Sequence, residues 1–136
     1  MLAEDRSLLI YRTSYLLCLT SIYGAYMTHY ALIPFPSIAF ISSINHWRNP
    51  QFDWKRTIDI FIVRGAIISH SILVYNADYA NAYYSVLGMS LLLYPISWYY
   101  YYKKQYTLST YIHVLHHVLN NIAAIIVYSG NIPIKV

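Results

Sequence analysis

Five residues of this 136-residue chain have types and spacing that could do chemistry together. His113 and His117 stand four apart, so on a helix both imidazoles project from one face. Two histidines so placed can hold one metal ion. A third ligand from another helix would complete a site that keeps one position open for water or substrate. His46 is the natural third ligand. Ser42 lies one turn before it on the same face, where its hydroxyl could hydrogen-bond a metal-activated water or a substrate carbonyl. Asp59 could orient that water or take its proton. The chemistry described by this set is metal-assisted hydrolysis.

These residues are far apart in the chain, so helices have to bring them together. The composition indicates in what medium. The chain is 58% hydrophobic and 10% charged, against roughly 45–50% and about 25% in an average soluble domain. Mean hydropathy is +0.40. That leaves too little polar surface to coat a water-soluble globule. Only 4 glycines and 5 prolines argue against a disordered or collagenous chain. The expectation is an all-α, polytopic membrane helical bundle forming one domain over residues 1–136. A single cysteine, Cys18, excludes an internal disulfide and a thiolate metal cluster within one chain. The net charge of +4 does not signal nucleic-acid binding, because the basic residues fall in short gaps between apolar runs rather than on one face. The 17 tyrosines suit membrane interfaces, where the ring sits in lipid and the hydroxyl in water.

The apolar runs predict about five transmembrane helices, over residues 8–33, 36–48, 57–76, 82–102 and 108–129. No small-residue cleavage site follows the charged segment 1–7, so a removable signal peptide is not expected. Pro34-Phe35-Pro36 ends the first run, since each proline removes a backbone donor. Asn49-Pro50 marks the next turn, residues 76–81 form a polar turn, and Gly130, Asn131 and Pro133 close the last run. With five crossings, Arg6, Arg12, Arg48, Lys55, Arg56, Lys103 and Lys104 share one side, and the other carries only Lys135, opposed by Asp78. The positive-inside rule then puts the N-terminus in the cytoplasm and the C-terminus across the membrane.

A charge inside a membrane helix costs about 2.5–3.5 kcal/mol even on the lenient insertion scale, so the polar residues within these runs need a reason. In the five-span arrangement His46 ends the second run on the cytoplasmic side. Asp59 lies one turn into the third, and His113 and His117 lie in the first turns of the fifth. All reach a similar depth, between a few ångströms and ~15 Å below that surface at 1.5 Å per residue.

Read together as Ser42-x3-His46, then Asp59, then His113-x3-His117, the set resembles the superfamily of membrane hydrolases that includes the alkaline ceramidases, the adiponectin and progestin receptors and the hemolysin III proteins. The resemblance implies that His46, His113 and His117 bind Zn2+ and that Asp59 and Ser42 contact the water the zinc activates. It implies zinc-dependent hydrolysis of a lipid amide such as ceramide, or of an ester, near the cytoplasmic leaflet. The partners implied are membrane lipids and a lipid substrate, with no nucleic acid. Members of that superfamily have a seven-helix core. A five-helix chain would be a trimmed relative or a homo-oligomer, the missing pair falling between the third and last helices.

Each residue also has a plainer reading. The histidines of the last run could hydrogen-bond between helices, at about 0.6 kcal/mol per contact. Ser42 and Ser43 could be small residues that let helices approach. Asp59 could pair with Arg56 or Arg64, His70 could pack against Asn120 or Asn121, and His29 would be interfacial. His116 should lie off the metal face. Trp47, Trp54 and Trp98 read as interfacial anchors. The competing functions are a non-catalytic structural or receptor-like membrane protein and a haem protein. The clustering of histidines near one surface, with Ser and Asp beside them, speaks against haem.

Overall fold

The computed structural model describes residues 4–134. Lys135, which the charge argument places opposite the other basic residues, lies outside them. The fold is all-α. Its five helices are α1 (Glu4–Tyr26), α2 (Pro34–Trp47), α3 (Trp54–Leu73), α4 (Ala80–Tyr102) and α5 (Tyr106–Tyr128), with a 3-10 turn at Tyr30–Leu32 between the first two.

Local chemistry explains the boundaries. The first helix ends at Tyr26, well before the end of the apolar run predicted from sequence. Thr28 takes a left-handed backbone (φ 63°). Its N–H reaches Ala25 O and that of His29 reaches Gly24 O, the Schellman pattern that closes a helix. Pro34-Phe35-Pro36 does not follow the first helix directly. It opens α2, with Pro34 as its first residue, where a missing N–H costs nothing. Asp53 caps α3 by accepting from the N–H groups of Lys55 (3.0 Å) and Arg56 (3.3 Å). Pro95 lies inside α4 and leaves the Leu91 carbonyl without its helical donor.

Side-chain pairs give the packing. Ser37 meets Ser21 and Phe40 meets Tyr15, so α2 runs antiparallel to α1. Ser42 and Ser43 meet Asp59 and Phe35 meets His70, so α3 runs antiparallel to α2. Ser90 meets His116 and Ser97 meets Ser109, pairing α4 with α5. Thr20 bonds Asn121, and Tyr23 bonds Ser129, so α1 and α5 run parallel. The helices follow one another in the spatial order α3, α2, α1, α5, α4. Between α3 and α4 side chains meet at two levels. His70 and Ser71 bond Tyr83 at one end, and Arg56 lies over Trp98 at the other.

The interior is unusually polar. Ser14, Thr20, Ser43, Ser90, Ser97, Ser109, Thr110, His70, His116 and Asn121 are all buried, while Leu19, Ile22, Ile41, Phe61, Ile68, Ile72 and Leu92 are exposed. A hydrophobic cluster that includes Leu32, Val74, Leu87, Val127 and Tyr128 sits toward the end where the chain passes from α3 to α4. Among the described residues α5 is the one helix long and apolar enough to cross a membrane. At 14 residues α2 is short of the ~20 a span needs, and α3 carries Lys55, Arg56, Asp59 and Arg64.

Candidate functional site

Four of the five residues singled out from the sequence line one cavity of about 300 Å³. His46 enters it from the last turn of α2, Asp59 from the second turn of α3, and His113 and His117 from α5. The fifth, Ser42, is buried behind the carboxylate and donates to Asp59 Oδ1 at 2.8 Å. Ser43 donates to the same oxygen at 2.9 Å and itself lines the cavity. From the sequence alone Ser43 reads as a small residue that lets helices approach. Its place next to Ser42 on the helix facing Asp59 was the available signal. With both hydroxyls on Oδ1, Oδ2 has no hydrogen-bond partner among the described residues. No Arg56 or Arg64 ion pair forms with this carboxylate, so that alternative does not hold.

The imidazoles are near one another without meeting. The rings of His113 and His117 are 5.0 Å apart between centroids. Trp47 touches both His46 (4.8 Å) and His113 (5.4 Å). It is therefore part of the cavity wall as well as a residue near the helix end. Nδ1 of His46 is buried with no partner, and neither His113 nor His117 has a hydrogen bond from its ring among the described residues. Side chains are placed such that no three His, Cys, Asp or Glu among the described residues could grip a metal ion as they stand. In kind, the donors fit zinc: three unpartnered imidazoles and a carboxylate on one cavity, one nitrogen of them orphaned in the interior. In position, they would need side-chain adjustment around Trp47.

His116 also lines the cavity, its ring centroid 5.9 Å from that of His113 and 5.6 Å from that of His117, while His70 and His29 are engaged elsewhere. His116 Nδ1 donates to the Ser90 carbonyl at 2.8 Å, and the Ser90 hydroxyl returns a bond to the His116 carbonyl at 2.8 Å. This reciprocal tie locks α4 to α5. His70 lines one small cavity together with Asn120 and Asn121, but its hydrogen bonds go elsewhere. Its Nδ1 bonds the Tyr83 hydroxyl and its Nε2 the Tyr128 hydroxyl, both at 3.0 Å. Asn121 instead accepts from Thr20 at 2.6 Å and donates to the His117 carbonyl at 2.8 Å, fixing the backbone beneath one candidate ligand. His29 is more than interfacial, since its Nε2 lies 3.0 Å from Tyr128 O and 3.1 Å from Gly130 O and closes the C-terminus of α5.

No family model, curated protein or solved structure matches the chain. The functional reading therefore rests on these residues and their arrangement.

Proposed function

We propose that the chain is a five-span integral-membrane protein, N-terminus cytoplasmic, that hydrolyses a lipid amide or ester bond with the help of zinc held by His46, His113 and His117. The observation that carries this reading is the single cavity shared by those three imidazoles and Asp59. The membrane part is supported by the inverted distribution of side chains, with serines, histidines and asparagine inside and large aliphatic residues outside. It is supported too by the gathering of Arg48, Lys55, Arg56, Lys103 and Lys104 at one end of the helices.

When bound, zinc supplies Lewis acidity that activates water and polarises a carbonyl. The chain supplies the rest. Asp59, held at Oδ1 by Ser42 and Ser43, presents Oδ2 as the group that accepts a proton from the attacking water. The two seryl bonds fix the carboxylate's rotamer, so the base is aimed before substrate arrives. The apolar lining from Ile60, Val63, Ile67 and Leu91 receives an acyl chain and keeps bulk water from it.

A second reading, a non-catalytic membrane protein whose polar residues tie helices together, is favoured by one observation: no three donors stand in metal-holding positions among the described residues. Metal analysis of the purified chain separates the two. The hydrolase predicts about one zinc per chain, lost in His113→Ala and His117→Ala and retained in His116→Ala. Absence of zinc from the wild type, together with absence of lipid-amide turnover after zinc is added, would overturn it.

A further inference from the structure

The hydrolase reading leaves two cavity residues unused. Arg56 and Arg64 line the same cavity as Asp59, and among the described residues neither has an acidic partner. The carboxylate of Asp59 is already engaged by two hydroxyls. The charged lining is thus two guanidiniums against one carboxylate, and its electrostatic complement is an anion.

Arg56 is also held in place. Its guanidinium carbon lies 5.1 Å from the Phe52 ring centroid and 4.9 Å from that of Trp98, and both rings line the cavity. Stacking of this kind engages the faces of the guanidinium and leaves its in-plane N–H donors for a ligand. Phe52 belongs to the connection before α3 and Trp98 to the last turns of α4, so this clamp stands at the end of the cavity where α2 hands over to α3. Farther along α3 the lining turns apolar, through Ile60, Val63 and Ile67, with Leu91 opposite. From Arg56 to Ile67 is about 16 Å at 1.5 Å per residue. Arg64 is exposed beside this stretch and adds to the positive potential along it.

The geometry points to an anionic single-chain amphiphile as the ligand, its headgroup on Arg56 and its chain along Ile60, Val63, Ile67 and Leu91. The cavity, at about 300 Å³, is at the lower end of the range for small-molecule sites, which suits one chain rather than two. This inference deepens the hydrolase reading by naming its substrate class, but the binding itself needs neither metal nor turnover.

The test uses the full chain in neutral maltoside micelles with a metal chelator present. Dodecyl phosphate, dodecanol and inorganic phosphate are titrated while tryptophan emission, to which Trp98 contributes, is followed. Dodecyl phosphate should give a saturable change at concentrations at least about tenfold below dodecanol, and the affinity should fall as salt rises. Arg56→Gln should weaken dodecyl phosphate about 10- to 100-fold by removing a charge-assisted contact. Arg56→Lys, which keeps the charge and loses the fork, should fall between. Should Arg56→Gln lose its helical circular dichroism, the comparison of the three probes on wild type still decides. Equal binding of dodecyl phosphate and dodecanol would overturn the anion. Inorganic phosphate binding as tightly as dodecyl phosphate would overturn the amphiphile. Phosphate-selective binding by a chain that holds no zinc and turns nothing over would remove the hydrolase and leave this site standing. Zinc and turnover without that selectivity would do the reverse.

Discussion

Replacing Tyr128 with Phe removes one buried oxygen atom near the α3–α4 end of the bundle and changes almost nothing else. Tyr128 is fully buried, its hydroxyl bonds His70 Nε2 at 3.0 Å, and its ring faces Gly24, where an added Cβ would come within 3.1 Å of Tyr128 Cε2. Phenylalanine fills the same space, so no cavity opens at the ring. The loss falls on His70. Its other nitrogen stays bonded to Tyr83, whose hydroxyl is 3.0 Å from that of Ser71, but Nε2 is left bare in the interior. Leaving a buried polar atom unpaired costs about 1–3 kcal/mol in soluble proteins. Hydrogen bonds measured by double-mutant cycles in a membrane bundle average ~0.6 and reach ~1.7 kcal/mol, because the unfolded chain also finds partners. A small cavity of about 60 Å³ lined by His70, Tyr128 and Asn121 has room for water to replace part of the lost bond. For the membrane bundle proposed above, the expected destabilisation of Tyr128→Phe is therefore about 0.6–1.7 kcal/mol.

The assay is equilibrium unfolding in mixed micelles followed by circular dichroism, run as a cycle with His70→Leu. In the His70→Leu background the hydroxyl has lost its partner, and Tyr128→Phe should cost less than about 0.3 kcal/mol. The difference between backgrounds is the coupling. Tyr128→Leu gives a contrast, since removing the ring should cost about 3 kcal/mol or more through the cavity it leaves. Equal losses for Tyr128→Phe in both backgrounds would refute the reasoning, for the effect would then come from packing and not from the hydrogen bond.

Three other outcomes follow from the same geometry. Ser42→Ala and Ser43→Ala should each leave Asp59 one hydroxyl and cost about 1 kcal/mol of stability, while the double variant should lose more than their sum, measured by the same unfolding. In the proposed hydrolase, Asp59→Asn should keep zinc and lower lipid-amide turnover by roughly 10²–10⁴-fold, read by parallel metal analysis and product assay. Thr28→Gly should stabilise by about 0.5–1 kcal/mol, because an exposed β-branched residue is relieved of a left-handed backbone; a melting temperature unchanged or lowered would contradict that strain.

How much of this was legible in the sequence differs by kind of feature. The five helices were, because charged and turn residues bracket each apolar run. The end of α1 was not, since Thr28 carries no glycine-like mark of a left-handed position. The company of Asp59 was half legible. Ser42 could be placed one turn from His46, but the choice between serine hydroxyls and arginines as partners depends on rotation of α3, which spacing does not report. For the same reason Trp47 and Trp98 read as interfacial anchors. Both sit near helix ends, as anchors do, and only packing reveals that they also wall the cavity. The hydrogen-bond partners of His70 were not legible, because Tyr83 and Tyr128 belong to a chain so rich in tyrosine that no single one stands out.

These differences share a cause that bears on the site itself. In a bundle with a polar interior, helix rotation is set by hydrogen bonds between small hydroxyl residues rather than by a broad hydrophobic stripe, and such bonds are local. The ties Ser90–His116 and Ser97–Ser109 fix α5 against α4, and Thr20–Asn121 fixes it against α1. The tie of Ser42 and Ser43 to Asp59 fixes α3 against α2. The two sets share no residue. The α2–α3 pair carries His46 and Asp59, and α5 carries His113 and His117, so the candidate site straddles the line between two groups of helices that are joined by hydrogen bonds away from it, Ser37 to Ser21 and His70 to Tyr83 and Tyr128. The side chains that cross that line on the cavity are Trp47 against His113 and Trp98 against Arg56, aromatic contacts that tolerate sliding better than directional hydrogen bonds do. At the cavity end α2 meets α5 through the contact of Trp47 with His113, while His70 holds α3 to Tyr128 of α5 at the other end, so the distance from His46 to His113 is set by side-chain packing rather than by a hydrogen bond.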